Sequence, residues 1–236
     1  MIACNFEQVG ESGTAISIQD LIPGTTEGLT TGGTVAQADQ IMVYDSLKAD
    51  YVTYFLYKNA RSANVKDYKW CSTTSGNPVA DKTFKNGDAF WYYSLASSDV
   101  IMQLAGQVSA AATQSITIVP GYSMIGDAFP ANFNPNSLGV EYWTAAVGNG
   151  AVAGGTVAQA DQIMIYDAAK ADYVTYFLYK NARSANAKDY KWCATTSGNP
   201  AVDASAEVMP PAKGAWYYHI GQGFTLTAPT PVVDAE

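Results

Sequence analysis

The chain is 236 residues long and carries 13 Lys+Arg against 21 Asp+Glu, a formal charge of −8 with a pI near 4.5. That balance argues against nucleic-acid backbones and anionic membrane surfaces, which select clustered lysine and arginine. No apolar run approaches the ~18 residues of a membrane-spanning helix, and a chain with 16 Tyr, 5 Trp and only 14% charged residues suits strands and turns better than surface helices.

Met1, Ile2 and Phe6 stand at the start, and residues 16–21 read as a short helical piece. Gln40–Asp45 and 51–57 are β-branched and aromatic runs, joined by residues 46–50 as a hairpin with a five-residue loop. In the second run Tyr51, Thr53, Phe55 and Tyr57 point to one side, and Val52, Tyr54 and Leu56 to the other. Both sides carry large side chains, so the strand is expected to be central or covered on both faces. A polar loop, 58–66, leads to a short strand at 68–72, and 74–78 reads as a turn. Asn86-Gly87 is a second turn signal, opening a strand at 89–95, and 100–108 closes the unit. Small residues at 109–113 form a linker. A strand at 114–119, a Pro120-Gly121 turn, the segment 122–129 and a short helical piece at 137–143 follow.

Residues 32–78 then reappear as 154–200, shifted by 122 positions. Five positions differ: Val43/Ile165, Ser46/Ala168, Leu47/Ala169, Val65/Ala187 and Ser72/Ala194. The likeness extends outward, from Met1, Ile2 and Phe6 to Met124, Ile125 and Phe129, and from Trp91-Tyr92-Tyr93 to Trp216-Tyr217-Tyr218. The expected organisation is all-β: two tandem homologous domains, 1–112 and 113–236, each a small sandwich or partly open barrel of about six strands. One strand breaks the symmetry, because 115–119 has no counterpart before Met1. Residues upstream of this sequence supply it, or the first copy closes without it, or another subunit donates it to an unpaired edge. Met1, Ile2 and Phe6 mark that candidate subunit-contact edge.

Chemistry is sparse. Cys71 and Cys193 are one position in two copies and Cys4 has no counterpart, so buried free thiols are expected rather than a disulfide framework. The single histidine, His219, corresponds to Ser94 and reads as a strand-end polar residue. Asp39, Asp45 and Asp50 recur as Asp161, Asp167 and Asp172, with the spacing of turn caps rather than of a calcium loop. Gly32-Gly33 and Gly154-Gly155 lack the Lys and Ser/Thr of a phosphate loop. No catalytic constellation, metal site or cofactor is expected, and the chain reads as a non-enzyme.

Aromatic pairs carry the one live binding signal. Tyr68 with Trp70, and Tyr190 with Trp192, stand two apart on a short strand and so share a face. Buried, they fill a core or a subunit interface, which is the favoured reading; exposed, they stack on sugar rings.

Residues 39–45, 51–54, 69–70, 87–92, 104–108 and 118–125 follow an order that resembles the uncharacterised secreted tandem β-repeat proteins of bacteria of the Verrucomicrobia and Kiritimatiellae kind. The resemblance implies export, an extracellular or cell-surface location, and a leader and first strand ahead of the point where this chain starts. It brings no catalytic residue. The expected function is a self-assembling structural subunit of a filament or surface layer, with itself as partner. A bivalent polysaccharide-binding or adhesion module is the alternative.

Overall fold

The computed structural model describes residues 1–11, 13–128, 132, 134–194 and 209–229. Among them each repeat forms an open five-stranded antiparallel sheet with a short ribbon or helix packed on its inner face. In the first repeat the strands are β1 (Ile2–Ala3), β2 (Ile16–Ser17), β3 (Gln40–Asp45), β4 (Asp50–Tyr57), β5 (Lys69–Ser72), β6 (Thr83–Phe84) and β7 (Ala89–Tyr93), with α1 at Ile18–Leu21. The second repeat has β8 (Thr113–Ile118), β9 (Gly121–Gly126), α2 (Gly139–Gly148), β10 (Gln162–Asp167), β11 (Asp172–Leu178), β12 (Trp192–Ala194), β13 (Gly214–His219) and β14 (Phe224–Pro229). The sheets run β1-β7-β3-β4-β5 and β9-β13-β10-β11-β12, the same order twice. Both sheets are open and neither closes into a barrel, which agrees with two sandwich-like all-β domains.

Alternation builds the core. Ile41 and Leu56 point inward with Trp70, Phe90, Phe84 and Leu21, all fully buried, while Met42 and Tyr44 stay half-buried on the opposite face. The second core repeats this with Ile163, Leu178, Trp192 and Tyr217, and adds Trp143 from α2. The β3–β4 hairpin pairs Gln40 with Phe55 through to Asp45 with Asp50, so its loop is one residue shorter than the sequence suggested. Asp45 closes that loop: its Oδ1 accepts from Leu47 N at 3.1 Å and its Oδ2 meets Lys48 Nζ at 2.9 Å. Asp167 does the same with Ala169 N at 3.0 Å and Lys170 at 2.9 Å. These aspartates are turn chemistry.

The repeats face each other across a local two-fold axis. Ala3 N donates to Ala212 O at 2.8 Å, and the equivalent Gly126 N donates to Gly87 O at 2.8 Å. The bridges Ile2–Lys213 and Asp88–Ile125 are likewise one contact seen twice. Beside them Tyr44 packs edge-on against Trp216 and Trp91 against Tyr166, with ring centroids 5.0 and 6.4 Å apart. Identical contacts made twice are what an isologous interface produces, here inside one chain.

Residues 100–108 depart from expectation. They form no strand and are tied at two points, where Gln107 bridges Glu7 and Ala105 N donates to Leu21 O at 3.1 Å. Their counterpart β14 is a full strand because β8 pairs with it from Phe224–Ile118 to Pro229–Thr113. Without a partner strand the first-repeat segment has no ladder to join.

Candidate functional site

The axis shows where a counterpart of β8 would lie. In the second repeat Ile116 of β8 packs over Gly87, near enough that a Cβ on that glycine would come within 2.6 Å of it, and is paired with Leu226. By position in the repeat Gly87 corresponds to Ala212, and Leu226 and Ala228 correspond in pattern to Met102 and Leu104. At that place the surface has a hollow of about 310 Å³ lined by Ile2, Phe6, Met102, Leu104, Pro211 and Ala212. The edge beside it is open as well. Gly121–Gly126 covers β13 as far as His219, whereas β1 covers β7 only at Ala89 and Phe90. Tyr92 and Tyr93 pair with β3 alone among the described residues.

Of the three edge residues read from sequence, only Phe6 faces this hollow without a backbone tie to the other repeat. Met1 O accepts from Gly214 N at 3.2 Å and Ile2 bridges Lys213, so these two build the junction between repeats rather than a free edge. That is a correction, and its cause is the two-fold packing, which no single repeat announces.

The aromatic pairs form no exposed platform. Trp70 and Trp192 are fully buried, at 0% exposure, in the two cores. Tyr68 has φ 61°, precedes β5 and is exposed, whereas Tyr190, at the same φ of 61°, is partly buried against the second core. Each tyrosine backs a lysine, with Lys58 Nζ 4.8 Å from the Tyr68 ring centre and Lys180 Nζ 4.1 Å from that of Tyr190. Neither tryptophan can stack on a sugar, so these residues make no sugar platform.

A buried polar network is centred on Asp39 and on its counterpart Asp161. Asp39 is fully buried and accepts from Thr30 N at 2.9 Å, from Leu95 N at 2.8 Å and from the Tyr92 hydroxyl. Asp161 repeats these bonds with Val152 N, Ile220 N and the Tyr217 hydroxyl, and adds His219 Nδ1 at 2.8 Å. His219 Nε2 donates to Gln222 O at 2.6 Å, a carbonyl being able only to accept. Burial and the adjoining carboxylate push both tyrosine hydroxyls well above their ordinary range. Both ring nitrogens of His219 are engaged and the ring is buried, so the arrangement ties a strand end and presents no base to a substrate.

All three cysteines are buried and none forms a disulfide. Burial raises Cys4 to about 12 and raises Cys71 as well, the opposite of what a nucleophilic or metal-binding cysteine needs. No group of three metal-ligating side chains forms among the described residues. No helix among them is long and apolar enough to cross a membrane. No protein-family model matches the chain, and no curated protein or solved structure shows significant similarity to it.

Proposed function

We propose that the protein is a self-associating structural subunit of an extracellular layer or filament, in which a strand of a neighbouring molecule docks beside the first repeat. The observation that carries this reading is the hollow at Phe6, Met102 and Leu104, together with the open edge at Tyr92 and Tyr93. An apolar trough beside unpaired backbone groups is the geometry that strand addition uses: main-chain bonds give affinity and alternate side chains fill the trough. β8 gives the pattern of a fitting strand, with Ile116 and Ile118 inward and Ser115 and Thr117 outward. The near-identical duplication and the resemblance to secreted tandem-repeat proteins support an exported building block.

The test is light scattering coupled to size exclusion across a concentration series, with electron microscopy of the assemblies. Met102→Arg, which puts a charge in the hollow, is expected to hold the protein as a monomer while leaving its circular dichroism intact. A wild-type protein that stays monomeric at high concentration overturns the reading, whether its hollow is empty or filled by its own chain.

A further inference from the structure

Residues 100–105 join no ladder, yet their side chains are disposed as those of a strand. Val100, Met102 and Leu104 are half-buried while Ile101, Gln103 and Ala105 are exposed, the same period of two that β14 shows along Phe224–Pro229. Met102 and Leu104 pack against the first core, and Ile101 stands 83% exposed. Among the described residues the backbone groups of 100–104 make no backbone hydrogen bond, and the nearest tie is Ala105 N to Leu21 O at 3.1 Å. The segment is therefore an edge without a partner, and such an edge is a template for a strand of another chain.

β8 gives the form of the partner. It sets Ile118 opposite Phe224 and Ile116 opposite Leu226, with both isoleucines inward and Thr117 outward. Val100, Met102 and Leu104 correspond in pattern to Phe224, Leu226 and Ala228. A fitting strand thus needs apolar side chains opposite Val100 and Met102 and a polar one turned out between them. The segment supplies that pattern itself. Laid antiparallel on a second copy with Met102 opposite Met102, it receives Leu104 opposite Val100, in the place of Ile118, and Gln103 in the place of Thr117. A slip of one residue would turn Ile101 and Gln103 of the copy inward and lose the match.

We propose that two copies of the chain pair through residues 100–104, antiparallel and centred on Met102, so that each strand covers the other molecule's hollow. This rests on the reading that a neighbour's strand docks beside the first repeat, and it names that strand. The hollow runs from Met102 and Leu104 to Pro211 and Ala212, so the second copy extends the packed junction between the repeats. The chain carries a formal charge of −8, which opposes contact between copies, but 100–104 holds no charged residue and Asp99 falls opposite Ala105. The pairing is isologous and closes at two. A layer or filament is then built from dimers, with the edge at Tyr92 and Tyr93 unused by this contact.

The experiment joins amide hydrogen exchange of the full chain across a concentration series to cross-linking of two cysteine variants. Exchange at alternate amides of 100–104 is expected to slow at least tenfold at the highest concentration. Cys4, Cys71 and Cys193 are buried, so an added thiol reports alone. With oxidised glutathione, Met102→Cys brings two thiols face to face and is expected to give a covalent dimer at least tenfold faster than Gln103→Cys, whose thiols stand diagonally apart. Exchange is read on the unaltered chain, so it decides even if Met102→Cys fails to fold. A chain that associates while these amides exchange at one rate throughout overturns this pairing and leaves the neighbour-strand reading to another donor. A chain that stays monomeric overturns both. Equal cross-linking by the two variants overturns the register and the proposal with it.

Discussion

Gly126 lies against Ala3 so closely that a Cβ on the glycine would stand 2.1 Å from the one Ala3 carries. These two residues are the same position in the two repeats, and they meet where the local axis passes. One must be glycine for the junction to close. Gly126→Val is expected to destabilise the protein by about 2–3 kcal/mol through overpacking against backbone that cannot retreat. The characteristic sign is loss of coupling: a single calorimetric transition separates into two as the repeats unfold independently. A variant that keeps one transition at the wild-type temperature would show that the two repeats are not held together here.

The two core tryptophans differ in one bond. Trp70 Nε1 donates to Ile22 O at 2.7 Å, whereas Trp192 Nε1 is buried without an acceptor. Replacing either by phenylalanine leaves a similar void. Only Trp70→Phe also strands a buried carbonyl, so it is expected to cost about 1–2 kcal/mol more than Trp192→Phe. Urea midpoints for the two variants measure the difference, and equal losses would contradict the assignment.

The β3–β4 hairpin could be read before folding because Gln40–Asp45 and its partner run alternate on a strict period of two. Features that depend on contacts between distant segments could not. Gln19 bonds both backbone groups of Trp70, at 3.0 and 2.9 Å, and so acts as a one-residue extension of the sheet. Asn136 does the same for Trp192 at 2.8 and 3.0 Å. The residue types differ, and Gln19 lies within a helix of 4 residues whereas Asn136 precedes one of 10, so alignment hides the equivalence. Tyr68 looked like a strand residue on propensity, but its φ of 61° is set by the turn, where its amide donates to Tyr57 O at 2.8 Å. The segment 100–108 has strand-like composition and forms none, because a strand is defined by its partner.

Alkaline pH is expected to unfold the protein from the inside. Burial lifts the Cys4 thiol from 9.0 to about 12, so the folded protein keeps it neutral while an unfolded chain ionises it. The associated stability is complete below pH 9.0 and drains away as the pH climbs toward about 12. Tyr92 and Tyr217, also raised, add losses of the same sign. Urea midpoints should fall steadily between pH 8 and 10.5, roughly the window in which unfolded thiols and phenols ionise. Cys4→Ala should flatten that fall and leave part of it to the tyrosines. A midpoint independent of pH across this range would refute the burial of all three groups.

His219 gives the second repeat a bond network that Ser94 does not give the first. Its ring spans Asp161 and Gln222 O, and packs 5.0 Å from Phe224, so it holds the turn from β13 into β14. In the first repeat Ser94 occupies this place, Asp39 is satisfied without a ring, and no strand follows. His219→Ser is therefore expected to leave Asp161 paired with Tyr217, Val152 and Ile220 while stranding the Gln222 carbonyl and opening space beside Phe224. The loss should be about 2–4 kcal/mol, from one buried acceptor and one unfilled ring volume. It should also be local: hydrogen exchange would quicken through Phe224–Pro229 and its partner Thr113–Ile118, while the β10–β11 hairpin keeps its protection. Uniform loss of protection over the whole second repeat would mean that the histidine supports the core at large and not this turn.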